Sequence, residues 1–177
     1  MIRYYSSRQD AKNSLHARKK ILREIEKRGL NITDLIFSTL KTDPEVALEA
    51  RLEMAENYLR EAEEYISKND PIQASEKLYK AVEESIKTLA QLFDTPEYQT
   101  ATKEGIWWTQ LLGKAARRLS RLLDEPRLEY VWAIAYDIHV WGFHEAKYST
   151  EDIRGDLDHA KWLLSYVKEI LSKNKKP

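Results

Sequence analysis

The stretch Ala74-Ser-Glu-Lys-Leu-Tyr-Lys-Ala-Val-Glu-Glu-Ser-Ile-Lys-Thr-Leu-Ala90 decides the fold. Leu78, Val82, Ile86 and Leu89 recur at spacings of four, four and three, which places them on one face of an α-helix. Tyr79, Lys80, Glu83, Glu84 and Lys87 border that apolar stripe. Two readings attach to them. One is a hydrogen-bonded polar cluster inside a bundle or at a dimer seam. The other is intrahelical pairing, because Glu76 with Lys80 and Glu83 with Lys87 stand four apart in the favoured order.

Outward from this stretch, Asp43-Pro44 and Asp70-Pro71 each set an N-capping carboxylate before a proline at the first helical position. Between them Leu48, Leu52, Ala55, Leu59, Ala62 and Ile66 form a seam with period near 3.5. This predicts a helix ending near Lys68, with Asn69 in the turn, followed by a second helix from Asp70 to about Phe93. So short a connection makes the two an antiparallel hairpin. Asp94 to Gly105 reads as a loop broken by Thr95-Pro96.

A third helix is expected from about Ile106 to Leu123, with Trp108, Leu111, Leu112, Ala115, Leu119 and Leu122 inward. A fourth is expected from about Arg127 to His144 on Leu128, Val131, Trp132, Ala135 and Ile138. Ser149-Thr-Glu-Asp152 reads as a capping box for a fifth, with Ile153, Leu157, Ala160, Leu164, Val167 and Leu171 inward and fraying from Lys173. The fold class is therefore all-α, an up-and-down bundle of four or five helices over residues 43–177. Residues 1–42 read as a partly basic helical arm: one helix from Ala17 to Arg28 stopped at Gly29, and a short one from Asn31 to Leu40. Its Ile32, Leu35, Ile36 and Leu40 need a partner surface, in the same chain or in a second copy.

Composition narrows the function classes. Lys and Arg total 29, as do Asp and Glu, so the formal net charge is zero. A balanced set gives no global pull toward nucleic acid or anionic membrane. The absence of Cys removes disulfides, thiolate metal sites and cysteine nucleophiles. No apolar run reaches the roughly 18 to 20 residues of a membrane span, and the N-terminus lacks a secretory core, so a cytoplasmic location is expected. Abundant Glu, Lys and Arg without Cys fits a thermophile. Phosphate loops, nucleophile elbows and metalloprotease helices are missing, and no cofactor or metal is expected.

Glu76-Lys-Leu-Tyr-Lys-Ala-Val-Glu-Glu84 and the tetrad Gly142-Phe-His-Glu145 resemble the HEPN-type helical bundles, and within them the archaeal PaREP family, over about Asp43 to Ser172. That resemblance implies a bundle that commonly dimerises. It also implies one of three roles: a nucleotide or partner binder, a ribonuclease of toxin–antitoxin or defence systems, or the accessory substrate-binding half of a nucleotidyltransferase pair. The ribonuclease branch carries Arg, four to six residues, then His. Arg154-Gly-Asp-Leu-Asp-His159 matches that spacing, with His as general acid or base and Arg stabilising phosphorane charge. Gly155 stands where the branch prefers a polar residue, and five residues on an undistorted α-helix turn about 500°, leaving the pair roughly 140° apart. The bland alternative is a solvated helix surface.

His139, Trp141, His144 and Glu145 form a second candidate, a binding pocket at the end of the fourth helix for a small anion, a nucleotide or a partner's polar group. The two histidines stand five apart, which is not the spacing of four that aligns ligands on an α-helical face. The bland reading is a helix end closed by aromatic residues. The run Arg18-Lys-Lys20 with Arg23, Lys27 and Arg28, below Tyr4 and Tyr5, offers phosphate and base contacts, but Glu24 and Glu26 interrupt it and nucleic acid is not favoured. The function expected is a non-enzymatic binding and assembly module, most simply a homo-oligomer.

Overall fold

The computed structural model describes Lys20, Glu24, residues 32–40 and residues 43–174. The expected basic helix and its tyrosines lie outside the described residues, apart from Lys20 and Glu24. Every element among the described residues is helical. They are α1 (Ile32–Leu40), α2 (Pro44–Ser67), α3 (Pro71–Leu92), α4 (Pro96–Glu104), α5 (Thr109–Leu122), α6 (Arg127–Asp137) running into a π-helical turn (Ile138–His144), α7 (Thr150–Arg154) and α8 (Leu157–Asn174).

Local chemistry starts and stops these helices. The Asp43 carboxylate accepts from the Glu45 amide at 2.9 Å, and Asp70 accepts from the Gln73 amide at 3.1 Å. Asn69 takes a positive φ of 56° in the α2–α3 turn, a conformation Asn tolerates better than most residues. Lys77 pairs with Glu61, Arg51 with Glu84, and Gln91 donates to the Pro44 carbonyl. Positions late in α3 thus meet positions early in α2, as an antiparallel hairpin requires. Lys161–Glu63 at 2.8 Å and Lys168–Glu56 at 2.7 Å lay α8 antiparallel to α2 as well.

α3 is the hub. It packs against α2 and every helix from α4 to α8, and it is buried on nearly all sides. Leu78, Val82, Ile86 and Leu89 are at most 1% exposed and share one core cluster with Leu112, Leu119, Leu128, Val131, Leu163 and Val167 of the surrounding helices. A helix buried all round normally reads as apolar all round. Here Ser75, Glu83, Glu84, Lys87, Thr88 and Gln91 are buried too.

Four expectations need correction. Asp94 to Gly105 is not a loop. Thr95 caps α4 by accepting from Tyr98 at 3.3 Å, Pro96 opens the helix, and Gly105 closes it in the left-handed conformation at φ 71°. The helix escaped a periodicity reading because it buries little beyond Glu97 and Ala101. Trp108 and Leu122 are not inward but 47% and 57% exposed, since α5 begins at Thr109 and ends at Leu122, where the bundle no longer covers them. The last expected helix is interrupted at Gly155–Asp156 into α7 and α8, although Ile153, Ala160, Leu164, Val167 and Leu171 are all buried. α8 also runs through Lys173 to Asn174, where fraying was expected to begin, and the rest of that expectation, at residues 175–177, lies outside the described residues. The capping box stands: the Asp152 amide donates to Ser149 Oγ, and Asp152 Oδ2 accepts from the Ser149 amide at 2.7 Å.

Candidate functional site

Two polar constellations stand out, one at the end of α6 and one inside the α2–α3 hairpin.

At the first, the α-helix widens. The Glu145 amide reaches back five residues to the Val140 carbonyl at 2.9 Å, and the Lys147 amide bonds the Trp141 carbonyl at 2.7 Å. Gly142 shows why the widening occurs here. A Cβ on Gly142 would sit 2.1 Å from Ser75 Oγ and 2.9 Å from Ser75 Cβ, so the turn can lie on α3 only with glycine at this position. Ala146 then leaves the helix at φ 50°, a left-handed conformation that is costly for a residue with a Cβ.

The widened turn corrects the geometry expected for the histidines. In a π-helix, positions five apart come into register, and His139 Nε2 lies 3.0 Å from His144 Nε2. One ring must donate and the other accept, so at least one of the two nitrogens lacks a proton in this arrangement. His139 is held from both sides. Its ring stacks on Tyr79 at 4.0 Å between centroids and on Phe143 at 5.6 Å, while its Nδ1 lies 3.4 Å from Glu76 Oε2. Glu76 therefore faces the histidine, with no hydrogen bond between Oε2 and Nδ1, and its expected ion pair with Lys80 is not formed. Burial, then the charge of Glu83, holds the Tyr79 hydroxyl far above its ordinary pKa, so this wall of the site stays neutral. His144, Trp141 and Glu145 are exposed, with Trp141 at 46%. Histidines, an exposed indole and a carboxylate thus share one surface turn over an aromatic floor.

Arg154 and His159 are placed differently. The break at Gly155–Asp156 puts them on separate helices. Arg154 is exposed, with Nε 3.4 Å from Glu151. His159 is half-buried, its amide bonded to the Asp156 carbonyl at 3.0 Å and its Nδ1 without a hydrogen-bond partner. No hydrogen bond or ion pair joins the two among the described residues. The surroundings are acidic. Asp137 bonds the Tyr148 hydroxyl at 2.5 Å, and that bond, burial, and the charges of Asp137, Asp152 and Asp156 push the hydroxyl up to about 12. Burial chiefly raises the Asp156 carboxyl, with Asp137 adding to it. A phosphodiester approaching His159 would meet like charge.

The second constellation confirms a polar cluster where intrahelical pairing was the bland alternative. Lys87 Nζ lies 2.6 Å from Glu83, 2.9 Å from Glu84 and 2.8 Å from Asp34, with no solvent exposure. Arg51 spans Asp34 and Glu84, each at 2.7 Å. Lys80 closes the chain on Glu83 at 3.3 Å. For Lys87, burial favours the neutral amine, but the surrounding carboxylates outweigh it and the ammonium is held. For Glu83, burial favours the neutral acid, but Lys87 and Lys80 win and its pKa falls to about 2. Buried charges of this kind persist where each is paired and hydrogen-bonded.

Sequence reasoning missed Arg51 and Asp34. The buried face of α2 runs Ala47, Arg51, Ala55, Leu59, Ala62, Ile66, whereas Leu48 and Leu52 are half-buried beside it. Stepping back by four from Ala55 lands on Arg51, a signal that reading only apolar residues discards. Asp34 carried no comparable signal. Beside Arg51 lies a cavity of about 30 Å³, on the scale of one water molecule, bordered by Asp34, Gln91, Tyr98 and Trp107. Among the described residues no group of three or more His, Asp or Glu side chains could hold a metal ion, and no helix is long and apolar enough to cross a membrane.

Fold and sites together define an all-α bundle organised around a buried ionic hairpin, with a π-helical histidine turn on its surface. The archaeal PaREP1/PaREP8 family model matches residues 50–164, from within α2 to within α8, and the chain belongs to that family. Among solved structures it resembles a crystal structure of a Sulfolobus solfataricus protein, at 33% identity and a TM-score of 0.60, covering 67% of this chain and 96% of that one. A solution structure of the same target, the Orf c02003 protein, matches at 32% identity and a TM-score of 0.60, covering 67% of this chain and 91% of that one. No curated protein matches the chain.

Proposed function

We propose that this protein is a non-enzymatic binding and assembly module of HEPN type, acting in the cytoplasm, whose ligand-facing site is the π-helical turn. The observation that carries the reading is the 3.0 Å approach of His139 to His144 beside the exposed Trp141 and Glu145. A histidine pair that shares one proton presents a donor to an anion when protonated and an acceptor when neutral. The indole of Trp141 offers a flat apolar face for a base or for a partner's side chain. π-helical turns of this sort are frequent at functional sites. The ligand class is a nucleotide or the polar group of a partner protein. Assembly as a homodimer belongs to the same reading, supported by the large exposed rings of Tyr130, Tyr136 and Trp141, at 66%, 45% and 46%.

The test is a nucleotide titration of the isotope-labelled protein followed by NMR. Saturable shifts of the His139, His144 and Trp141 ring resonances, lost in His144→Ala, are expected. Shifts absent for every nucleotide would leave the partner-protein arm of the reading, and a His144→Ala chain that retains all partners recovered by the wild type would end it.

A further inference from the structure

Within the α2–α3 hairpin the ionic cluster is not self-sufficient. Among the described residues of the hairpin, Arg51 and Lys87 share Glu84, and Lys87 shares Glu83 with the half-buried Lys80. The third anion comes from α1. Asp34 Oδ1 lies 2.7 Å from Arg51 Nη2, and Asp34 Oδ2 lies 2.8 Å from Lys87 Nζ. Phe37, one turn further along α1, sets its ring 4.9 Å from the Arg51 guanidinium carbon. Without this helix Arg51 and Lys87 would each lose one of the carboxylates that hold their charge in the interior.

The supply of that anion is separable from the bundle. The family match begins at residue 50 and takes in Arg51, Lys80, Glu83, Glu84, Lys87 and Gln91, whereas α1 lies before it. α1 has nine residues, too few to persist as an isolated helix in water, so its order depends on its tertiary contacts. Ile32 and Ile36 remain 37% and 44% exposed in the docked helix, while Leu35 and Phe37 are half-buried. The seat continues past Asp34 into the cavity bordered by Gln91, Tyr98 and Trp107.

We propose that Arg51 and Lys87 form a docking site for a short acidic–aromatic helix of a partner protein, which α1 occupies in cis through Asp34 and Phe37. The ligand chemistry is the one α1 displays: a carboxylate bridging guanidinium and ammonium, and an aromatic ring three residues later over the guanidinium face. α1 is then an intramolecular competitor, present at the high local concentration a short tether gives. The proposal rests on the reading of the chain as a binding module, but the histidine turn takes no part in it, so the nucleotide titration and the experiment below fail independently.

The probe is a fluorescein-labelled peptide with the sequence of residues 30–42, and the same peptide carrying Asp34→Asn. Each is titrated by anisotropy into the full chain and into the full chain carrying Asp34→Asn, with folding of the variant checked by circular dichroism. The variant chain is expected to bind the aspartate peptide at least about tenfold more tightly than the asparagine peptide, and at least about tenfold more tightly than the wild-type chain does. Equal affinity for the two peptides, or none for either, overturns the proposal. If the variant does not fold, hydrogen exchange of the wild-type chain decides. Amides 32–40 should exchange faster with excess aspartate peptide and unchanged with the asparagine peptide, and no difference between the two overturns it.

Discussion

Lys87 and Glu83 are joined by a 2.6 Å ion pair one turn apart on α3, and the lysine in that pair has no contact with solvent. On an exposed helix such a pair contributes a few tenths of a kcal/mol. Here it sits within a network that also includes Asp34, Arg51 and Glu84, in the middle of the most buried helix.

Lys87→Met should therefore be severely destabilising. It leaves Asp34, Glu83 and Glu84 buried with too little positive charge, a loss of about 3–5 kcal/mol. Urea unfolding followed by circular dichroism measures it. A loss below about 1 kcal/mol would mean that the carboxylates find other partners or water.

Acid should unfold the protein through Glu83. Its folded pKa of about 2 lies below the ordinary value near 4.5, the case of a depressed carboxylate. The stability it contributes is present above the ordinary value and is lost as pH falls toward the folded one. Urea midpoints measured from about pH 7 to about pH 2 should stay level above pH 5 and fall through the lower window. Glu83→Gln, though less stable at neutral pH, should show a shallower fall there.

Gly142→Ala should break the seat of the histidine turn. The added methyl meets Ser75 Oγ and Cβ at 2.1 and 2.9 Å, and overpacking of this kind costs about 1–3 kcal/mol. The His139 and His144 ring resonances should move together. Ser75→Gly in the same chain should recover part of the loss, and a double variant no better than Gly142→Ala would show that the contact is not the cause.

Gly155→Ala has the opposite sign. Its φ is −62°, in the right-handed helical region, and nothing lies within 4 Å of where the Cβ would be. Restricting the unfolded chain should raise stability by about 0.4–1 kcal/mol, read as a higher thermal midpoint.

Arg154→Ala should change stability by less than about 0.5 kcal/mol, since the side chain is exposed and its one ion pair lies at the surface. His159→Ala should cost more, about 1 kcal/mol, because its ring is half-buried. RNA incubated with the wild-type chain without metal should be recovered intact. Cleavage that disappears in both variants would replace the binding reading with the ribonuclease one.

The sequence by itself determined most of the helices and the hairpin at the centre. Asp43-Pro44, Asp70-Pro71 and the Ser149–Asp152 box act within a single turn, so their outcome depends on a few neighbouring residues. The stripe from Leu78 to Leu89 likewise repeats at a period that a helix imposes on any sequence. Tertiary structure alone decided the rest. Arg51 meets Glu84 across 33 residues and Lys87 meets Asp34 across 53, and no local pattern says that charged groups so far apart will share one interior. The spacing of five between His139 and His144 is unfavourable on an α-helix and becomes a contact once the turn widens, with Gly142 lying on Ser75 of another helix. Periodicity records which face is buried, whereas the ion pairs and the widened turn depend on which helices come to lie against that face.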